Sequence, residues 1–123
     1  MPDLNGRRVL VVEDEALIAL SLEAFLVEFG CEVVGPAASI EQARRLVRGA
    51  AIDVALLDIN VRGELIYPLA KQLMDTGVPV VLCSGYAMTS TIPAPFDTVP
   101  QLGKPYSRDH LHAVIERALA KAA

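Results

Sequence analysis

Apolar and polar positions along the chain follow two rhythms in alternation. Short continuous apolar runs, of the kind that form strands covered on both faces, are each followed by a longer stretch in which apolar residues recur at helical spacing. The run RRVLVVE (Arg7 to Glu13) predicts a first strand, and EALIALSLEAFLVEFG predicts a helix with apolar positions Leu17, Leu20, Leu22, Phe25, Leu26 and Phe29 at helical spacing and Gly30 as its C-cap. CEVVG predicts a second, shorter strand. SIEQARRLVRGA predicts a second helix, opened by Ser39 as N-cap with Gln42 three residues on, a capping-box pattern.

IDVALLD has no polar alternation, which predicts a third strand at the centre of a sheet. A helix over roughly Leu65 to Asp75 follows, with Pro68 in the first turn where a missing N–H is tolerated. VPVVLCS predicts a fourth strand. The next stretch, GYAMTSTIPAPFD, carries Pro93 and Pro95, so any helix there is expected to be short or mobile. TVPQLGKPY holds a fifth short strand, and SRDHLHAVIERALAKA predicts a last helix with Ser107 as N-cap and Leu111, Val114, Ile115, Ala118 and Leu119 on its buried face. Strands alternating with helices in this way imply an α/β, doubly wound parallel sheet.

Composition narrows the picture. A length of 123 residues predicts a single domain over 1–123, and 53% hydrophobic with 21% charged residues predicts a compact core. A net charge of −4 argues against a nucleic-acid partner, which needs clustered Lys and Arg. The one basic cluster, Arg44, Arg45 and Arg48, reads as a solvated helix face. Neither a membrane span nor a signal-peptide core is visible, so a cytoplasmic protein without a membrane partner is expected. Cys31 and Cys83 sit in apolar surroundings and are expected to be reduced packing thiols.

Ligands of an open parallel sheet bind beyond the carboxyl ends of its strands, where loops from neighbouring strands converge. The first strand ends in Glu13 and Asp14, the third in Asp58, the fourth in Ser84, and the fifth leads into Lys104. Each has a plain reading: an acidic loop or N-cap for Glu13 and Asp14, a turn residue for Asp58 or Ser84. Their joint placement on one edge is what those plain readings do not predict. Carboxylates so close repel one another unless a cation is present, and a hard divalent ion such as Mg2+ suits an oxygen-only ligand set that leaves positions for a phosphoryl oxygen. His110 and His112, two apart on one helix, point to different sides and read as polar surface. Tyr67, Tyr106, Phe25 and Phe29 read as packing groups.

The acidic pair Glu13-Asp14, the lone Asp58 after an apolar strand, Ser84 after the fourth strand and Lys104 in a Lys-Pro dipeptide resemble the receiver domain of two-component response regulators, and the likeness covers nearly the whole chain. The resemblance implies a flavodoxin-like (βα)5 fold with a five-stranded parallel sheet of order 2-1-3-4-5. It implies that Asp58 is the phosphoacceptor, taking a phosphoryl group from a sensor histidine kinase or a histidine phosphotransfer protein and signalling to a downstream protein partner. It implies Mg2+ held by Glu13, Asp14, Asp58 and the backbone carbonyl of Asn60, with Ser84 and Lys104 on the phosphoryl oxygens. In the family an aromatic three residues before the Lys turns inward on activation; here that position is Gln101, and a different readout is required. PVVLCSGY (Pro79 to Tyr86) is similar to the Pro-Phe-x-Phe-Ala-Thr-Gly-Tyr stretch of a subgroup of stand-alone receivers. From this, Tyr86 is expected to carry the switch by ordering residues 86–96, and Tyr106 to border the partner surface.

Two other classes compete. Asp58-Ile59-Asn60 loosely resembles the Asp-x-Asp start of phosphohydrolases with an aspartate nucleophile, but Asn60 cannot shuttle a proton as the second Asp would. A flavin or nucleotide binder would need a Gly-rich phosphate loop after the first strand, where this chain has Glu13-Asp14-Glu15. Within the receiver class, the chain reads as a module without an output domain of its own, acting as a docking module, a phosphate sink or a relay, or as a receiver cut from a larger regulator.

Overall fold

The computed structural model describes residues 3–85, 92–104 and 106–122. Strands β1 (Arg8–Val12), β2 (Glu32–Ala37) and β3 (Val54–Asp58) alternate with helices α1 (Ala16–Glu28) and α2 (Ile40–Gly49). Two short strands, β4 (Asn60–Val61) and β5 (Glu64–Leu65), precede α3 (Tyr67–Asp75). Then come β6 (Val80–Ser84), a 3₁₀ turn (Phe96–Thr98), β7 (Gln101–Gly103) and α4 (Arg108–Ala122). The main sheet is parallel throughout, in the order β2-β1-β3-β6-β7. Counting its strands along the chain gives 2-1-3-4-5, the expected flavodoxin-like receiver topology, with four α-helices among the described residues.

The central strands β1, β3 and β6 carry unbroken apolar runs because they feed two cores. Side chains alternate across a strand with period two. Leu10, Val12, Ala55, Leu57, Val80 and Leu82 therefore pack under α2 and α3, with Ile40, Ala43, Leu69 and Leu73. Val9, Val11, Val54, Leu56, Val81 and Cys83 pack under α1 and α4, with Leu22, Leu26, Leu111 and Val114. The predicted inner face of α4 is buried in full, and Ser107 caps it by accepting the His110 N–H at 3.1 Å. At the other cap the pattern differs slightly from a capping box. Ser39 accepts the Gln42 N–H at 3.1 Å, while Gln42 Oε1 takes the N–H of Ala38, one residue earlier than expected, at 3.0 Å.

Two expectations for α1 need correction. Of its regularly spaced apolar residues, Leu17 and Leu20 are 80% and 60% exposed, and the buried stripe is Ala19, Leu22 and Leu26. At about 100° per residue, Leu20 lies almost opposite Leu22. Gly30 stands one residue past the cap, which is Phe29. With φ +87, Gly30 donates to Val27 O at 3.0 Å while Cys31 donates to Leu26 O at 2.9 Å, a Schellman ending.

A skip in the β1/β2 register, from Leu10↔Val34 to Val12↔Ala37, sits at Gly35. A Cβ there would stand 2.8 Å from the Ala37 nitrogen and 3.0 Å from the Val11 oxygen, so only glycine fits. Beyond the skip the Ala37 carbonyl accepts the Glu13 N–H at 2.9 Å, which fixes the backbone where β1 leaves the sheet. The arginines of α2 make surface contacts, Arg45 with Glu41 and Arg44 with Gln72. Both cysteines are buried and free. No helix among the described residues is long and apolar enough to cross a membrane.

Candidate functional site

Period two sets the site. Glu13 continues the parity of Val9 and Val11, and Asp58 that of Val54 and Leu56, so both carboxylates leave the sheet on its α1/α4 face. Lys104 continues the parity of Leu102 to the same face. Its own N–H donates to Ser84 O at 2.8 Å, tying the end of β7 to the end of β6. Ser84 ends β6 half-buried, paired in register with Gly103.

These groups meet. Lys104 Nζ lies 2.7 Å from Glu13 Oε1, 3.3 Å from Asp58 Oδ2 and 3.8 Å from Glu15 Oε1. Glu13 Oε2 accepts the Glu15 N–H at 3.1 Å. An oxygen from each of Glu13, Asp14 and Asp58 lies within 4.8 Å of the others. Glu13 and Asp58 are buried, at 2% and 7% exposure. One ammonium thus faces more negative charge than it can balance, in a place where water screens little.

The titration of the groups follows. Burial pushes the Asp58 carboxyl up to about 7, and the hydrogen bond and charge of Glu13 add to the rise against the pull of Lys104. Burial works against the charge on Lys104, but the bond to Glu13 and the charges of Asp58 and Glu13 prevail and hold its ammonium above the ordinary range. For Asp14 the upward effect of burial is outweighed by the backbone N–H groups of Arg62 and of Asp14 itself, which hold the carboxyl below its ordinary value. A cluster of mutually repelling oxygens with a raised carboxyl is the environment a hard divalent cation relieves, so the residues fit the Mg2+ expected of them.

The other candidates fall in different places. Asn60 opens β4, and its side chain closes the turn that follows by accepting the Gly63 N–H at 2.9 Å. The Ile66 N–H donates to Ile59 O at 2.8 Å, which makes 59/66 a hydrogen-bonded pair of the β4/β5 ladder. By the alternation of antiparallel pairing, the neighbouring Asn60/Leu65 pair is the one whose carbonyls the ladder does not use, which leaves the Asn60 carbonyl for a ligand. Gln101 is exposed on the edge strand. Tyr86 lies outside the described residues. Tyr106 is half-buried, its hydroxyl inside without a nitrogen or oxygen partner among the described residues, beside the Cys83 thiol, which burial pushes up to about 12. Cys83 is therefore an inert packing thiol. His112 is less of a surface group than expected, since it packs edge-on against Phe29 at 4.7 Å and pairs with Glu116 at 2.9 Å.

Sequence reasoning missed the hairpin between β3 and α3. Its turn residues Arg62 and Gly63 both have positive φ, +52 and +84, the primed geometry in which Asn-Gly or Asp-Gly is the usual signal. Only the glycine of that signal is present. Tyr67, read as a packing group, stacks on Phe96 with ring centroids 4.9 Å apart.

Comparison with known proteins agrees with the fold. A sequence profile described as the response regulator receiver domain matches residues 9–116. The solution structure of SdrG from Sphingomonas melonis Fr1 is 33% identical with a TM-score of 0.78, covering 99% of this chain and 98% of that one. A BeF3-activated conformation of SdrG superposes with a TM-score of 0.77 at 32% identity, covering 91% of this chain and 95% of that one. The receiver domain of the PhyR response regulator from Erythrobacter litoralis is 26% identical with a TM-score of 0.80, covering 97% and 94%. Among curated relatives, the transcriptional regulatory protein PdtaR of Mycobacterium tuberculosis is 29% identical over 118 residues, which are 94% of this chain and 58% of that protein.

Proposed function

This chain belongs to the response regulator receiver family, and from that premise we propose that it takes a phosphoryl group onto Asp58 and signals through changed binding of a protein partner. The observation that carries the reading is the contact of Lys104 with Asp58 and Glu13 at the carboxyl ends of the strands, beside Asp14. Asp58, at the end of a fully buried strand, is the nucleophile. Lys104, held over it at 3.3 Å, stabilises charge on the equatorial phosphoryl oxygens, and the Ser84 hydroxyl donates to the same group. Glu13 fixes the Lys104 ammonium and, with Asp14, Asp58 and the Asn60 carbonyl, would hold Mg2+. When bound, the ion neutralises the carboxylates and draws off phosphoryl charge. That SdrG has a BeF3-activated conformation supports the reading, since this fluoride has the shape of a phosphoryl group.

The donor is a phosphohistidine on a sensor kinase or phosphotransfer protein. Exposed Leu17 and an open groove of about 480 Å³ lined by Ile18, Phe25 and Tyr106 lie beside Lys104, where such a partner would approach. The switch is carried by Tyr86 and the segment after it, because Gln101 has no ring to turn inward. Hydrogen exchange of residues 86–96 that slows on phosphorylation is expected; unchanged exchange would remove Tyr86 from the scheme.

The acceptor role is tested by intact-protein mass after incubation with acetyl phosphate, with and without Mg2+, on the wild type and Asp58→Ala. A single phosphoryl adduct that needs Mg2+ and Asp58 is expected. An adduct of equal yield on Asp58→Ala would contradict the assignment.

A further inference from the structure

The hairpin that joins β3 to α3 places a backbone donor against the acidic cluster from 48 residues away in sequence. The N–H of Arg62 donates to Asp14 Oδ2 at 2.9 Å. It reaches that oxygen because Arg62 and Gly63 both take left-handed φ, which turns the chain in two residues, and because Asn60 Oδ1 holds the turn closed through the Gly63 N–H. Ile59, Val61 and Ile66, exposed by 1%, 1% and 0%, pin the hairpin to the core. The donor is therefore part of a fixed frame, unlike a side chain that can swing away.

The consequence concerns how Asp14 can bind an ion. Its Oδ2 faces the Arg62 amide, and Asp58 Oδ2 faces Lys104 at 3.3 Å, so one oxygen of each aspartate meets a donor set in place by another element. A carboxylate held in this way offers a cation one oxygen. Mg2+ takes single oxygens in near-octahedral geometry at about 2.0–2.1 Å and keeps waters, whereas Ca2+ takes 6–8 oxygens at about 2.3–2.6 Å and commonly grips a carboxylate by both.

We infer that the Arg62-Gly63 turn is a positioning device for the cation site, holding Asp14 as a one-oxygen ligand and so favouring Mg2+ over Ca2+. The inference rests on reading the Glu13, Asp14 and Asp58 cluster as a divalent-cation site. The Arg62 side chain takes no part, since only the backbone N–H and the turn geometry matter.

Two variants loosen the turn. Asn60→Ala removes the acceptor for the Gly63 N–H, and Gly63→Val puts a β-branched residue at φ +84, where it is strained. Two readouts independent of phosphorylation apply. In the ion-free wild type the Arg62 amide proton is expected to exchange slowly, and in both variants faster. Titration with MgCl2 and with CaCl2, followed by amide chemical shifts, is expected to show Mg2+ affinity falling about tenfold in the variants, the size of a lost supporting contact, with Ca2+ affinity falling less. An Arg62 amide that exchanges freely in the wild type, or an unchanged Mg2+ to Ca2+ affinity ratio in the variants, would overturn the inference. If the wild type binds neither ion, the cation-site reading falls as well; if it binds Mg2+ and the ratio is unchanged, only the role of the turn falls. Should Gly63→Val fail to fold, Asn60→Ala decides alone through the Arg62 amide exchange and the Mg2+ to Ca2+ ratio together, because it removes the exposed side-chain acceptor and keeps the Asn60 backbone carbonyl assigned to the ion.

Discussion

Asp58 is the residue on which the physical arguments converge. Its carboxyl stands at about 7 in the fold, against 3.8 for an ordinary aspartate, chiefly because it is buried and then because Glu13 is beside it. A raised carboxyl favours the protonated form in the folded state. Its contribution to stability is complete below about pH 4, erodes between there and about pH 7, and is absent above. Asp58→Asn removes the ionisation and should raise the melting temperature of the ion-free protein at pH 8, by a stability gain on the order of 2–4 kcal/mol. The gain should shrink as pH falls toward 4, and a gain independent of pH would mean that ionisation of Asp58 is not its source. The same buried charge makes Asp58 suited to a partner group that arrives with a cation. Asp58, Lys104 and the acidic pair were legible in the sequence because each ends or follows a strand, and a parallel sheet brings strand ends together. The role of Glu13 as the close anchor of Lys104 at 2.7 Å was not, because pairing between side chains of β1 and the segment after β7 depends on rotamers that spacing does not encode.

At the scale of elements, α1 shows where periodicity stops being informative. Its apolar residues outnumber the positions its inner face can hold, so spacing alone does not separate the buried Leu22 from the exposed Leu20. Leu22→Ala should cost about 2–5 kcal/mol, the range for emptying a leucine site in a packed core. Leu20→Ser should change stability by no more than about 0.5 kcal/mol. Chemical denaturation of the two variants tests this, and equal losses would mean that α1 packs on a different face. The hairpin between β3 and α3 was illegible for another reason. Its strands are two residues each, too short for any alternation to register, and its turn carries Arg where Asn or Asp is usual. That hairpin is also where the site is braced, so the element hardest to read from sequence bears directly on how Asp14 is held.

At the scale of the molecule, topology does most of the placing. Unbroken apolar runs announced strands covered on both faces, and the observed order puts β3 at the centre with β1 and β6 as its neighbours. The three strands that carry Glu13, Asp58 and Ser84 are therefore adjacent, and β7 brings Lys104 alongside. The rigidity of β3, buried at every position, holds Asp58 still among groups supplied by its neighbours. The direct test of the phosphoacceptor claim is to locate the phosphoryl group. Borohydride reduces an aspartyl phosphate to homoserine, so treating the acetyl phosphate-labelled protein with borohydride and sequencing its peptides by mass spectrometry marks the acceptor. Homoserine at position 58 alone is the predicted result; reduction at Glu13 or Asp14 instead, or a phosphoryl adduct that leaves Asp58 unreduced, would contradict it.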